Sequence, residues 1–203
     1  MLSHVEIQTI IDRLYFSVDG YSLSFADRTG PLETDKSFIY GEMLLESLSR
    51  VMDPVSPQPG ELFYDLGSGT GKLVMMAHLL YPFARAEGVE LLPSLHAQAL
   101  TVHARYDHEI RPALAEPRGE ILFRHGDILE QDLSVADVIF IHGTCFQEAF
   151  VNKLVDKMQA CKAGARIVAP SGLFYVPWLE RKHEIEYATA WDTAATCYTY
   201  YKV

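Results

Sequence analysis

The sequence predicts an α/β protein: a doubly wound, mostly parallel sheet closed by an antiparallel C-terminal strand pair, preceded by N-terminal helices. Three observations carry that expectation. From Gly60 onward, short apolar runs alternate with helical stretches. A glycine-rich segment, Gly67 to Gly71, joins the first of those runs to a helix. The last twenty residues change pattern and read as two strands joined by a short turn at Asp192-Thr193.

In chain order, Val5, Ile7, Ile10, Ile11, Leu14 and Tyr15 recur at mostly three- and four-residue spacing, as on an amphipathic helix. Between Gly20 and Asp35 that pattern lapses, and Gly, Asp, Ser and Thr predict a loop. A second helix is expected from Phe38 to Met52, halted by Pro54, Pro57 and Pro59. Strands are expected at Leu62–Asp65, Arg85–Glu90, Glu120–Arg124, Ala136–His142 and Ala165–Pro170. The helices between them are Lys72–Leu80, Pro93–His108 and Gln147–Ala160. The closing strands are Glu184–Trp191 and Ala195–Lys202. The organisation is therefore one compact unit, with a helical lid or substrate segment over 1–59 and a ligand-binding core over 60–203.

Composition narrows the partners. The 203 residues are 49% hydrophobic and 22% charged, enough to bury a core, and the formal net charge is −10. Such a balance repels phosphate backbones, so direct nucleic-acid binding is not expected; basic proteins or small molecules suit it better. Apolar runs of 18 residues are absent, and Glu6, Asp12, Arg13 and Asp19 crowd the start, so neither a membrane span nor a secretory signal is expected. Cys145, Cys161 and Cys197 are odd in number and widely spaced, and the eight His residues form no ligand-spaced set. No metal is expected, and a reducing cytoplasmic location is the default.

The chemistry gathers at three strand ends. Asp65 closes the strand Leu62-Phe63-Tyr64, and Gly67, Ser68, Gly69 and Gly71 lead into a helix at Lys72. Glycines here tolerate positive φ and let a ligand approach the backbone, although a tight strand-to-helix turn alone would also use them. Glu90 ends the next strand, nineteen residues past Gly71, where nucleoside-binding folds place a carboxylate for ribose hydroxyls. Asp127 follows the third strand, positioned to accept from an adenine amino group while Ile128 packs on the ring. An acid just before the glycines would repel a pyrophosphate but suits a ligand carrying an ammonium and a sulfonium, which points to S-adenosylmethionine. Walker-type binding is excluded, because Leu73 stands where Ser or Thr would hold magnesium.

With these residues in place, the chain resembles the Dot1-like methyltransferases, class I enzymes with a Rossmann-like fold that methylate lysine. The resemblance runs from about Tyr40 to Tyr198. It rests on Tyr40-Gly41-Glu42, Asp65-Leu66-Gly67-Ser68-Gly69, Gly71-Lys72 in place of the family's Gly-Gln, and Gly126-Asp127-Ile128-Leu129. A further piece is Val138-Ile139-Phe140-Ile141 running into a loop that ends at Phe146. It implies that Tyr40 and Glu42 cover the cofactor's methionine end. It also implies that Phe146, Trp191 and Tyr198, the last two seven residues apart, shape a lysine channel. Packing in the core is the competing reading of Trp191 and Tyr198.

The departures lie in one loop. Where the family carries Asn-Asn before the aromatic segment, this chain has His142-Gly143-Thr144-Cys145-Phe146. Position 143 thus offers no side chain. His142 is either a proton acceptor near the reacting centre or a satisfied strand-end histidine. The resemblance implies lysine N-methylation of a basic protein. A small-molecule acceptor and a catalytically silent cofactor-binding protein are the alternatives.

Overall fold

The computed structural model describes residues 2–33, 39–143, 146–170, 172–173, 175–189 and 195–203. Three helices come first: α1 (His4–Tyr15), α2 (Gly20–Asp27) and α3 (Leu45–Met52). The alternating part follows as β1 (Leu62–Leu66), α4 (Lys72–Leu80), β2 (Arg85–Glu90), α5 (Pro93–Arg105), β3 (Glu120–His125), β4 (Val138–Phe140), α6 (Glu148–Met158) and β5 (Arg166–Ala169). Two long strands, β6 (Leu179–Tyr187) and β7 (Ala195–Lys202), complete it.

The strands form one sheet in the order β3-β2-β1-β4-β5-β7-β6. β1 to β5 run parallel, and β7 inserts antiparallel between β5 and β6. Successive residues point to opposite faces, and the core divides accordingly. Phe63, Ala86, Phe123, Phe140 and Val168 face α1, α3, α4 and α5. Tyr64, Leu66, Val89, Ile139 and Ile167 face α6. Both faces of the inner strands are covered, which is why they read as near-continuous apolar runs.

Each helix end has its own cause. Ser3 and Glu6 form a reciprocal capping box at α1, Ser3 Oγ accepting from the Glu6 N–H and Glu6 accepting from the Ser3 N–H. α5 has no side-chain cap of its own. Asp27, at the end of α2, supplies one by accepting from the Ser94 N–H and Ser94 Oγ, both at 2.7 Å. Beyond Arg105 the coil widens into a π-turn, Tyr106–Ile110, so the expected helix to His108 changes character before its end.

Three expectations are corrected. The stretch expected as a loop holds α2, capped by Asp19 through the Ser22 N–H at 3.0 Å. Its buried face is Gly20 and Ser24, while Tyr21 and Phe25 are exposed, so apolar spacing could not reveal it. The helix expected from Phe38 begins only at Leu45. Phe38 lies outside the described residues; just before the helix Leu44 is extended, and Met43 bridges to Thr189. The penultimate strand begins at Leu179, earlier than expected, because its charged middle lies on a sheet edge where solvated Glu and Lys protect unpaired backbone. Trp191 and the turn Asp192-Thr193 lie outside the described residues.

Candidate active site

The strand-to-helix turn after β1 is built around three positive φ angles: 91° at Gly67, 55° at Gly69 and 78° at Gly71. At Gly67 the backbone alone demands glycine, since an added Cβ would meet nothing within 4 Å. At Gly69 a Cβ would lie 2.6 Å from the Tyr40 ring, and at Gly71 2.5 Å from Phe123. Gly67 and Ser68 N–H both donate to the Val89 carbonyl, at 2.9 and 3.0 Å, stitching the turn to β2. Glu90 completes the stitch. Its Oε2 accepts from the Gly69 N–H at 2.7 Å and its Oε1 from the Leu92 N–H at 2.8 Å.

Two carboxyls are buried beside this turn. Asp65 is 2% exposed, and burial, with the charge of Glu90 behind it, pushes its carboxyl up to about 8. Burial likewise raises Glu90, against the pull of its backbone donors. Asp127 lies two residues past β3, where its Oδ1 caps the 3₁₀ turn Ile128–Glu130 through the Leu129 N–H at 2.8 Å.

Over the turn lies the segment that enters α3. Tyr40 Oη donates to Glu42 Oε1 at 2.7 Å and contacts Thr70 Oγ1 at 2.9 Å. Glu42 Oε2 accepts from Lys72 Nζ at 2.6 Å, and Tyr15 Oη donates to the Thr70 carbonyl at 3.2 Å. The Tyr40 ring is gripped from both sides, by the glycine turn and by Gly20, where a Cβ would lie 2.4 Å away. Burial first, then Glu42, raises the Tyr40 phenol, so it stays a neutral donor.

These groups share one cavity of about 400 Å³. Tyr40, Glu42, Asp65, Gly67, Ser68 and Gly69 line it, joined by Lys72, Glu90, Asp127 and Ile128. His142 and Phe146 line it too. Burial lowers the His142 imidazole below its ordinary value, which keeps it neutral at pH 7. Two described residues expected at the site stand elsewhere. Gly71 caps α4 and packs on Phe123, its role being the turn itself. Tyr198, on β7 opposite Ala169, lies against Gly172 and the Arg181 guanidinium, 5.3 Å from its ring centre, and does not line the cavity. The sequence reading also missed the apolar lining: Met43, Leu73, Met76, Leu91, Leu92 and Phe150. Leu91 and Leu92 follow Glu90 directly, and Phe150 sits one turn after Phe146, so adjacency was the available signal. Met76 carries none, being one apolar residue among many on α4.

The cavity fits a cationic nucleoside. A buried carboxyl as perturbed as Asp65 is relieved by a nearby positive charge. Open space over Gly67 leaves the backbone approachable, and Ser68 Oγ is buried with no hydrogen-bond partner among the described residues. No group of three His, Cys, Asp or Glu able to hold a metal occurs among the described residues. Nor is any described helix long and apolar enough to cross a membrane.

Residues 28–189 match the family model described as histone methylation protein DOT1. The chain belongs to the Dot1 family. Similar proteins include the histone-lysine N-methyltransferase, H3 lysine-79 specific, of Caenorhabditis elegans, 29% identical over 182 residues, covering 86% of this chain and 18% of that protein. The Yarrowia lipolytica protein of the same name is 26% identical over 185 residues, covering 86% of this chain and 37% of its own length. The chain thus corresponds to well under half of these Dot1 relatives. Among solved structures, the Bacillus subtilis tRNA methyltransferase TrmK superposes with TM-score 0.61 at 16% identity, covering 79% of this chain and 67% of that one. A Salinibacter ruber RNA methyltransferase in complex with S-adenosyl-L-homocysteine gives 0.55 at 20% identity, covering 78% and 91%. These likenesses establish the class I methyltransferase fold. The Dot1 match ends at Thr189, short of both Trp191 and Tyr198.

Proposed function

We propose that this Dot1-family chain transfers a methyl group from S-adenosylmethionine to a lysine ε-amine of a basic protein. One observation carries the reading: the glycine turn, Asp65, Glu90 and Asp127 meet the Tyr40–Glu42 segment in a single cavity. The names of the Dot1 relatives support lysine as the acceptor class.

S-adenosylmethionine supplies an electrophilic methyl on sulfur. Asp65 is the counter-charge for its cationic end. Glu90 holds the turn closed and turns its remaining lone pairs to the ribose hydroxyls, while Asp127 and Ile128 receive the base. Gly67, Ser68 and Gly69 let the backbone come close. Tyr40, Glu42 and Lys72 cover the amino-acid end, Glu42 and Lys72 offering charges of opposite sign. Phe146 and His142 flank the acceptor: the ring excludes water, and the neutral imidazole adds no positive charge beside the sulfonium. With the methyl already reactive, positioning and desolvation are what the protein contributes. Residues 1–59 act as the lid and substrate segment. Buried free thiols at Cys161 and Cys197 fit the reducing, cytoplasmic setting included in this proposal.

Glu90→Ala should weaken S-adenosylmethionine binding by about 1–3 kcal/mol, read by calorimetry, because charge-assisted bonds are lost. Unchanged affinity would argue against the assignment. Incubating wild-type protein with labelled cofactor and a panel of basic proteins, peptides and small amines then identifies the acceptor. Label on a metabolite alone would favour the small-molecule reading, which the bare position at Gly143 keeps in view. Binding without transfer to any of them would favour a silent module.

A further inference from the structure

Lys72 opens α4, where the helix dipole disfavours a cation. Two groups hold its ammonium there. Glu42 Oε2 accepts from Nζ at 2.6 Å, and Nζ stands over the Tyr15 ring, 5.6 Å from its centre. The side chains of the ion pair are 26% and 24% exposed, so water screens it only in part. Tyr15 is buried and does not itself line the cavity. Its hydroxyl donates to the Thr70 carbonyl. Because Tyr40 Oη gives its proton to Glu42, Thr70 Oγ1 is the donor to Tyr40. Tyr15, Thr70, Tyr40, Glu42 and Lys72 thus close a circuit drawn from three distant segments of the chain. Burial, then the charges of Glu42 and Asp65, raises the Tyr15 phenol well above its ordinary value, which keeps it a neutral donor. The ring is also fixed from behind. Tyr15 ends α1, where Arg105 of α5 donates to the Leu14 carbonyl at 2.9 Å and to the Arg13 carbonyl at 3.0 Å. Lys72, on its flexible stem, is the arm that must be held.

We propose that Tyr15 is a positioning residue of the cofactor site, matched to Lys72: its ring face keeps the ammonium on Glu42, and the ion pair keeps the Tyr40–Glu42 segment closed over the glycine turn. Tyr15 precedes the residues 28–189 that match the family model, and Lys72 replaces the glutamine of the family pattern. The two belong together physically. A neutral amide at position 72 meets no opposition from the helix dipole and needs no π face, whereas an ammonium does. In Tyr15→Leu the ammonium would turn to water, Glu42 would lose its partner, and the cover over the cavity would loosen. The inference rests on the methyl-transfer reading for its ligand, S-adenosylmethionine, while the hold on Lys72 is a property of the chain itself.

The test is a double-mutant cycle on the full chain, with Tyr15→Leu, Lys72→Gln and the pair, read by calorimetry with S-adenosylmethionine. Tyr15→Leu should raise Kd about tenfold, the scale of a partly desolvated cation–π contact. In the Lys72→Gln background the same change should matter by less than about twofold, because no ammonium is left to hold. Tyr15→Phe keeps the ring and loses only the bond to Thr70, so its Kd should stay within about threefold of wild type. A residue that merely fills the core would cost the same whatever stands at position 72. The second measurement uses no cofactor: lysines are acylated with an amine reagent and quantified by peptide mass spectrometry. Lys72 should react faster in Tyr15→Leu than in wild type, and no faster in Tyr15→Phe. If Tyr15→Leu lacks a cooperative melt, Tyr15→Met, which preserves bulk without a π face, takes its place. Equal losses in the two backgrounds, or unchanged labelling of Lys72, would overturn the proposal. Wild-type protein that takes up no cofactor would instead sink the methyl-transfer reading, and the labelling would still judge the hold on Lys72.

Discussion

Asp65 is a residue whose burial looks costly in isolation and makes sense only at a site. Its carboxyl is pushed up to about 8, so the folded state retains a proton that the unfolded chain releases near the ordinary value of 3.8. The sign follows from linkage: burying the ionised form lowers stability progressively as pH rises from about 4 towards about 8. Asp65→Asn should therefore raise the melting temperature at neutral pH, with the gain shrinking as pH falls towards about 4. The same variant should bind S-adenosylmethionine more weakly, having lost the counter-charge. Thermal melts across pH with and without cofactor check both parts, and a variant less stable than wild type at pH 7 would refute the first. At this scale the sequence is informative: Asp65, Glu90 and Asp127 stand out by their places at the ends of three successive strands. What it could not contain is that Glu90 spends both oxygens on the backbone of Gly69 and Leu92, because that pairing depends on how β1 and β2 register.

Among the elements, α2 connects the N-terminal segment to the cavity. Its Asp27 caps α5 through Ser94, its Gly20 receives the Tyr40 ring, and Tyr21 meets Tyr40 edge-on at 5.2 Å. Removing the cap with Asp27→Ala should cost about 0.5–2 kcal/mol, the range for a lost helix cap, seen in chemical denaturation. Because α5 follows directly on Glu90, Leu91 and Leu92, cofactor affinity should fall as well. A variant equally stable and equally tight would show that α2 does not support the site. α2 was invisible in the sequence for a physical reason. A helix that packs through glycine and serine and exposes its aromatics inverts the pattern by which amphipathic helices are found. α3 was misplaced for a related one: before it Met43 bridges to Thr189 and the Tyr40 ring packs on the glycine turn, contacts far away in sequence.

For the molecule as a whole, the net charge of −10 sets the long-range field. Such a field favours the basic acceptor of the proposed function, and salt screens it over about 10 Å at 0.1 M ionic strength. KM for a lysine-rich peptide should therefore rise with added salt, while KM for a neutral or weakly charged small amine stays nearly level. Initial-rate measurements at several ionic strengths would check this. A salt-independent KM for the peptide would mean that local contacts, not the field, select the acceptor.

The alternating strands and helices, the antiparallel tail, the glycine turn and the carboxylates at strand ends could be read directly, because each depends on neighbours a few residues apart. The tertiary structure alone decided that Tyr40 is clamped between Gly20 and Gly69, that Lys72 pairs with Glu42, and that Gly143 yields its space to Phe146. It also set Tyr198 on β7, between β5 and β6, where its ring does not line the cavity. Periodicity and turn chemistry are local properties of a chain. Steric exclusion and charge pairing between distant segments exist only once the sheet has brought them together.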